Sequence, residues 1–228
     1  MRLVAKFGGT SLANGNRINR AADSIAEAVD AGHEVVVVAS AMGSTTDDLL
    51  SEIQFDADAR DEVEIVSMGE RTSVRMLKAA LAARGIDAAF VEPGTPDWPI
   101  VTDAHGEVDR DETQERTKRL ADRLDRTVPV VTGFLAQDHD GNVTTLGRGG
   151  SDTTAVMLGR YLDADEVVIV TDVEGVMTGD PRVVEGARNV GQITVDELQN
   201  LSFRGAEVIA PSALSYKTDD MAVRVIHY

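Results

Sequence analysis

The sequence contains no cysteine, which excludes disulfides, thiolate metal sites and cysteine nucleophiles. No apolar run approaches the roughly 18 residues that a membrane-spanning helix needs. The chain begins directly on an alternating, strand-like run, without the basic start and apolar stretch of a signal peptide. These absences lead us to expect a cytoplasmic protein that does not enter a membrane.

Positive charge is also scarce. Lysine and arginine together number 22 against 39 acidic residues, a net charge of −17, and only four residues are lysines. A surface this negative repels phosphate backbones and anionic lipid, so nucleic acid and membranes are not expected as partners. An acidic, lysine-poor composition is typical of a salt-adapted protein, because concentrated salt screens its self-repulsion. When lysine is this rare, Lys6 inside an apolar strand requires an explanation.

Several familiar site motifs are missing as well. The sequence has no Gly-Lys-Ser/Thr of a Walker A loop, no G-x-G-x-x-G after its first strand-like run and no Gly-x-Ser-x-Gly. Its four histidines are scattered without the spacing of metal ligands. The sequence therefore gives no sign of a P-loop, a Rossmann-type dinucleotide site, a hydrolase nucleophile or a histidine metal site.

What is present is a regular alternation of strand-like and helix-like segments over 228 residues. Valine-rich runs predict strands at 3–7, 34–40, 88–91, 128–132, 166–171 and 223–226. Helical spacing predicts helices at 14–31, 62–84, 111–124 and 151–162, the second of them interrupted near Gly69. Repeated β-α-β units of this kind predict an α/β protein with a mostly parallel sheet.

Local signals add detail to this outline. The proline-containing stretch 93–109 predicts a small β excursion outside the main sheet, with Trp98 as one of its packing residues. Asp111 marks the predicted start of the third helix. Thr194 and Glu197 have the spacing of a capping box at the start of a late helix.

The first predicted strand ends in the run Lys6-Phe7-Gly8-Gly9-Thr10-Ser11. Ligands of open α/β sheets lie outside the carboxyl ends of the strands. Two glycines there let backbone N–H groups approach an anion, and the ammonium of Lys6 can reach the same place. The structural alternative is a glycine turn beside a lysine whose head group extends into solvent.

A second glycine-rich run, Gly147-Arg148-Gly149-Gly150-Ser151-Asp152-Thr153-Thr154, leads into a predicted helix. Three glycines allow close backbone approach, and the guanidinium of Arg148 suits a carboxylate or a phosphate. Ser151 or Asp152 is predicted to cap the helix. A hairpin-to-helix turn with such a cap is the structural alternative for this run.

Two further turns carry polar residues. The strand 166–171 ends in Thr171-Asp172 before a glycine turn, which suits either contact with a ribose or base edge or a simple Asx turn. The hydroxyl-rich turn 44–48 suits either a small polar substrate or the cap of the next helix.

Taken in order, these segments resemble the aspartate kinases of the amino-acid kinase superfamily. The resemblance is carried by 6–11, Ser40-Ala41-Met42-Gly43 with Thr46, Met68-Gly69-Glu70, 147–154, and Thr171-Asp172-Val173 with Asp180-Pro181-Arg182. It implies a three-layer αβα sandwich around a mostly parallel central sheet, the amino-acid kinase or carbamate kinase-like fold. It also implies a single domain over 1–228, with an amino-acid-binding lobe at about 1–145 and a nucleotide-binding lobe at about 146–228. The implied reaction is ATP plus L-aspartate to ADP plus 4-phospho-L-aspartate, the entry to lysine, threonine and methionine biosynthesis.

The resemblance further implies a role for each site residue. Lys6 stabilises charge on the γ-phosphoryl group, and Asp152 orients Lys6. Implied phosphate contacts are Gly8, Gly9, Ser11, Gly149 and Gly150. Implied aspartate contacts are Thr46, Glu70, Arg148 and Ser151, with Arg148 on a carboxylate and Glu70 on the ammonium group. Implied nucleotide contacts are Thr171, Asp172, Met177 and Arg182. The implied partners are ATP, L-aspartate and a second copy in a homodimer, with Mg²⁺ brought by the ATP phosphates and no metal site of the protein's own.

Three departures from the family pattern bear on function. Met177 stands where these kinases usually have a tyrosine, and Glu207 stands where they usually have a lysine near the phosphates. The chain also stops at Tyr228, where aspartate kinases usually continue into ACT regulatory domains. Two alternative functions therefore stay open: a kinase of the same superfamily acting on another small acid, and a non-catalytic subunit that binds nucleotide or amino acid.

Overall fold

The computed structural model describes residues 1–172, 175, 184–195, 197–198 and 209–227. Within them, a six-stranded sheet has the order β3-β5-β2-β1-β8-β9, with every neighbouring pair parallel. Its strands are β1 Arg2–Phe7, β2 Glu34–Ala39, β3 Ala88–Val91, β5 Val128–Thr132, β8 Glu166–Thr171 and β9 Ala222–His227. A smaller sheet contains β4 Val101–Thr102, β6 Leu135–Asp138 and β7 Val143–Thr145.

The helices form a layer on each face of the large sheet. They are α1 Gly15–Asp30, α2 Thr45–Glu52, α3 Ala59–Ala82, α4 Arg110–Ala121, α5 Gly150–Tyr161 and the short α6 Pro211–Leu214, with a 3-10 turn at Thr10–Leu12. Apolar residues of α1 and α3 pack in one core cluster with Val37 and Val130. Residues of α4, α5 and α6 pack in a second cluster with Val36 and Val131. The strands are therefore buried on both faces, which is why they read as valine runs, and the predicted αβα sandwich is confirmed.

Strand β1 lies at the centre of this sheet, and the direction of the chain changes there. The chain moves from β1 to β2 on one side, and it returns later to place β8 on the other side of β1. A crevice forms outside the carboxyl ends of strands at such a reversal, and ligands of open α/β sheets bind in it. Lys6 and Phe7 lie at this end of β1, and Thr171 ends β8.

The predicted β excursion at 93–109 supplies one strand, β4, of the small sheet, and the other two strands, β6 and β7, come from later in the chain. Trp98 is buried, 2% exposed, in one core cluster with Leu135 and Val143 of that sheet, and its indole N–H donates to the carbonyl of Ile100 at 2.8 Å. Strand β6 pairs in parallel with β4 and antiparallel with β7. Thr102 also forms an isolated bridge to Val108. The expected packing role of Trp98 is confirmed.

The predicted interruption of the second long helix is wrong. Helix α3 runs without a break from Ala59 to Ala82, through Gly69. A Cβ atom on Gly69 would lie 2.8 Å from the Cβ atom of Ala41. This glycine therefore allows the loop after β2 to approach the helix closely, which a sequence pattern does not distinguish from a helix break.

Two predicted helix starts also need correction, and a third is confirmed. Helix α4 begins one residue early because Asp109, and not Asp111, accepts the N-cap hydrogen bond. Helix α5 begins at Gly150 after Gly149 in a left-handed conformation, without a side-chain cap. The capping box is present: the backbone N–H of Thr194 donates to Glu197, and that of Glu197 donates to the Thr194 hydroxyl.

Among the residues that the structure describes, no helix is both long and apolar enough to cross a membrane.

Candidate active site

A cavity of about 280 Å³ opens at the carboxyl ends of the central strands. It is lined by Lys6, Ser40, Thr46, Glu70, Phe134, Gly147, Arg148, Gly149, Gly150, Ser151 and Asp152. Eight of these residues were predicted as site residues from the sequence, and they come from β1, the first turn of α2, α3, and the loop before α5 together with the start of that helix. Segments that are far apart in the sequence thus meet in one crevice.

The centre of the cavity is an ion pair between Lys6 and Asp152. The ammonium nitrogen Nζ lies 2.7 Å from carboxylate Oδ1, with the two side chains only 13% and 14% exposed. The other carboxylate oxygen, Oδ2, accepts a hydrogen bond from the backbone N–H of Ala210 at 3.4 Å. Asp152 lies in the first turn of α5, past the N-cap residue Gly149, and its carboxylate holds the ammonium in the wall of the cavity.

The start of α5 approaches the end of β5 very closely. A Cβ atom on Gly133 would lie 2.5 Å from Oγ and 2.7 Å from Cβ of Ser151. A Cβ atom on Gly150 would lie 3.0 Å from Cα of Phe134, and Gly149 has φ 70°. These three glycines therefore let the helix start enter the crevice, and its N-terminal N–H groups and positive dipole end suit an anion there.

Glu70, from α3, is a buried acid in the lining of the same cavity. It is 3% exposed, and its Oε1 accepts a hydrogen bond from the backbone N–H of Ala41 at 3.3 Å. Within the described part of the chain, its Oε2 has no hydrogen-bond partner. Burial raises the pKa of Glu70 to about 7, against a smaller lowering by backbone hydrogen bonds. A cation that enters the cavity would stabilise its ionised form.

Arg148 supplies a cationic wall. It lies in the loop between β7 and α5, and no carboxylate of the described residues pairs with it. Thr46, in the first turn of α2, faces the same cavity. An unpaired guanidinium and a buried carboxylate in one cavity provide one group for an anion and one for a cation, which matches a zwitterion such as an amino acid.

Three residues expected at the phosphates lie outside the cavity lining. The N–H of Gly8 donates to the carbonyl of Val170 at 3.2 Å, and the buried hydroxyl of Ser11 donates to the same carbonyl at 3.2 Å. A Cβ atom on Gly9 would lie 2.9 Å from the carbonyl oxygen of Gly43. In this structure the three residues therefore join β1 to β8 and to the loop after β2.

The residues expected at the nucleotide are only partly described. Thr171 and Asp172 lie at the end of β8, where the Thr171 hydroxyl donates to Asp172 Oδ1 at 3.2 Å, and neither lines the cavity. Met177, Arg182 and Glu207 lie outside the described residues.

A profile of the amino acid kinase family matches residues 1–227. The chain belongs to the amino acid kinase family. It is 40% identical to an aspartate kinase of Pseudomonas fluorescens over 99% of this chain and 55% of that protein. An aspartate kinase structure from Synechocystis superposes with a TM-score of 0.81 at 35% identity, over 99% of this chain and 38% of that one.

The E. coli aspartokinase III structure, in complex with aspartate and ADP, superposes with a TM-score of 0.85 at 27% identity. That match covers 100% of this chain and 62% of the E. coli chain. The resemblance to aspartate kinases is thereby confirmed. This amino acid kinase chain spans about half the length of the curated relatives it matches.

Three cavity residues of this amino acid kinase were not among the predicted site residues. Ser40 follows β2, and the rule that ligands lie past strand ends could have found it. Phe134 follows β5 and has φ 65°, which is uncommon for a residue other than glycine. Gly147 has φ 70°. No sequence signal predicts the positive φ of Phe134, because this residue packs against the start of α5, which is distant in the sequence.

The described residues include no cluster of three or more His, Asp or Glu side chains that could hold a metal ion. In the cavity of this family member, Glu70 and Asp152 are the acidic residues, and Asp152 is already paired with Lys6.

Proposed function

We propose that this chain is the catalytic part of an aspartate kinase, which transfers the γ-phosphoryl group of ATP to the side-chain carboxylate of L-aspartate. The products are ADP and 4-phospho-L-aspartate. The observation that supports this proposal most is the single cavity that contains a fixed ammonium, a free guanidinium and a buried carboxylate.

The amino acid is bound by its charges. Arg148 holds one carboxylate in a two-pronged hydrogen bond, and Glu70 takes the ammonium group. Thr46 and Ser151 add polar contacts from opposite sides of the cavity. Thr46 and Glu70 belong to the proposed amino-acid lobe, and Arg148 and Ser151 to the proposed nucleotide lobe, so the substrate would lie at their junction.

The transfer itself depends on alignment and on positive charge. The attacking carboxylate is already ionised at neutral pH, so no strong general base is needed. Lys6 neutralises charge on the moving phosphoryl group, and Asp152 keeps its ammonium in place. Gly149 and Gly150, at the start of α5, line the cavity and would face the phosphates. Gly8, Gly9 and Ser11 do not line it, and the Gly8 N–H and the Ser11 hydroxyl donate to the Val170 carbonyl, so a phosphate contact from them would require these bonds to be exchanged.

The nucleotide would extend from this point past the end of β8, towards Thr171 and Asp172, with Met177 and Arg182 as further contacts. Mg²⁺ would be held through the ATP phosphates, since the cavity supplies no set of free carboxylates for it. When bound, the ion neutralises phosphate charge. We further propose that the protein acts in the cytoplasm.

The test is ADP formation that depends on L-aspartate, assayed in about molar potassium chloride because the protein is so acidic. Arg148→Ala is expected to raise the KM for aspartate about tenfold to a hundredfold, and the KM for ATP much less, because it removes a charge-assisted hydrogen bond. Arg126→Ala, at an exposed surface pair, is the control. Aspartate binding by calorimetry without any turnover would instead support a non-catalytic subunit.

A further inference from the structure

Besides Glu70 Oε2, two buried hydroxyl oxygens have no hydrogen-bond partner in the described part of the chain, Ser73 Oγ and Thr132 Oγ1, and both side chains are 0% exposed. Two other such atoms have a different setting: Asp152 Oδ1 is in the ion pair with Lys6, and His33 Nδ1 precedes β2 at the amino end of the sheet. Buried polar atoms nearly always have a hydrogen-bond partner, so three such atoms beside one site call for a common explanation.

Helix geometry places Ser73 next to Glu70. Residues three apart on a helix are neighbours on its surface, and both residues belong to the buried side of α3. The same side carries Val74 and Leu77, which pack in the cluster between α3 and the large sheet. Ser73 therefore faces the sheet, one turn beyond Glu70.

Strand alternation places Thr132 in the same layer. Val128 and Val130 of β5 pack in the cluster with Leu77, whereas Val131 packs in the cluster on the other face. Because side chains alternate along a strand, Thr132 lies on the α3 side, at the last position of β5.

Thr132 also lies beside the loop that binds Glu70. It pairs in register with Ala39, and the N–H of Gly133 donates to the Ala39 carbonyl at 2.9 Å. Two residues further along, the N–H of Ala41 donates to Glu70 Oε1. The carboxylate and the two hydroxyls thus occupy one layer behind the cavity.

We propose that Ser73 and Thr132 are positioning residues whose hydroxyls hold one internal water on the inner oxygen of Glu70, and so keep its carboxylate ionised for the substrate ammonium. A hydroxyl can rotate to hydrogen-bond a water, and three polar atoms are enough to hold one buried water. This inference rests on the proposed function, which assigns the substrate ammonium to Glu70.

The charges around Glu70 decide what a pH experiment reports. Those that line its cavity are Lys6, Arg148 and Asp152, and the neighbouring α2 adds Asp47 and Asp48.

Strands β3, β5 and β7, which also pack on α3, contain no charged residue. Glu92, which follows β3, is held by Arg71 and Arg75 of α3, and Asp23 of α1 is held by Arg84. Glu34 starts β2 at the opposite edge of the sheet.

The experiment follows the KM for aspartate from about pH 6 to about pH 8.5, in the full chain at constant potassium chloride. In the wild type, KM should fall as pH rises and level off above about pH 7, where Glu70 is ionised before the substrate arrives. Ser73→Ala and Thr132→Val should each move the midpoint up by about one unit, because each removes a hydrogen bond that holds the water on the charged carboxylate. KM should then rise about tenfold near pH 6 and stay unchanged near pH 8.5.

Two further variants separate this role from a general disturbance of the fold. Thr132→Ser keeps the hydroxyl and should restore the wild-type midpoint. Thr117→Val removes a buried hydroxyl of α4 that donates to the Thr113 carbonyl, and it should leave the midpoint unchanged. A midpoint that stays in place in both Ser73→Ala and Thr132→Val, or a KM raised equally at every pH, would overturn the inference. Absence of aspartate turnover in the wild type would instead overturn the proposed function.

Discussion

A single ammonium group carries most of the proposed chemistry. Lys6 is one of four lysines in the chain, and it is held at 2.7 Å by a carboxylate that is itself mostly buried. Lys6→Ala should lower kcat by about 10³-fold, because charge on the transferred phosphoryl group would lose its fixed counter-charge. Circular dichroism should show an intact fold. Lys118→Ala, which removes an exposed lysine paired with Glu115, should keep full activity. Near-normal turnover by Lys6→Ala would remove Lys6 from the mechanism.

The buried carboxyl of Glu70 should make folding less favourable as pH rises. Its pKa is about 7 in the folded protein against 4.5 for the free side chain. Below about pH 4.5 the group is protonated in the folded and the unfolded state, so its burial does not destabilise the protein. The destabilisation grows up to about pH 7 and is complete above it. Glu70→Gln removes this destabilisation. It should therefore increase the free energy of unfolding by on the order of 2–3 kcal/mol more near pH 8 than near pH 5.

Urea unfolding at the two pH values measures this difference. Glu115→Gln is the control, because hydrogen bonding to Lys118 lowers the pKa of Glu115 and its contribution has the opposite sign. An equal effect of Glu70→Gln at both pH values would show that the carboxyl is not destabilised by burial.

Close packing between elements fixes the geometry of the site. At Gly133 a Cβ atom would lie 2.5–3.0 Å from three atoms of Ser151. Gly133→Ala should therefore push the start of α5 outwards, with a loss of about 1–3 kcal/mol in the free energy of unfolding and a higher KM for aspartate. Gly15→Ala is the matched control, since nothing lies within 4 Å of its added methyl group. In the first turn of α1 it should stabilise the protein by up to about 1 kcal/mol. A fully active and stable Gly133→Ala would show that α5 can move without consequence.

The same packing separates what the sequence could predict from what it could not. Strand positions and the placement of polar residues past strand ends follow from local pattern, and that pattern predicted anion-binding roles for Lys6 and Arg148. The pairing of Asp152 with Lys6 was implied only by the resemblance to aspartate kinases. Side-chain direction in a turn does not follow from pattern. Ser11 was predicted at the phosphates, yet its hydroxyl joins β1 to β8 through the carbonyl of Val170. Gly69 was wrongly predicted to break α3. Its close contact is with the loop after β2, which is distant in the sequence and leaves no local signal.

Across the whole molecule, the excess of negative charge should make stability depend on salt. The acidic residues outnumber lysine and arginine by 17, and repulsion among them opposes the compact state. Salt also screens favourable surface pairs such as Arg84 with Asp23, but such pairs are worth little. The net effect of potassium chloride should therefore be stabilising, because at about 1 M the screening length is only about 3 Å.

We expect Tm to rise by several degrees between about 0.1 and 1 M potassium chloride near pH 7.5. Near the isoelectric point, at a pI of about 4.5, the net charge is close to zero and the same change in salt should have little effect. Thermal unfolding at the two pH values separates screening of net charge from a general effect of the salt. If Tm rises equally at both, screening is not the cause. If Tm falls with salt near pH 7.5, the attractive ion pairs outweigh the repulsion, and the acidic composition is not an adaptation to salt.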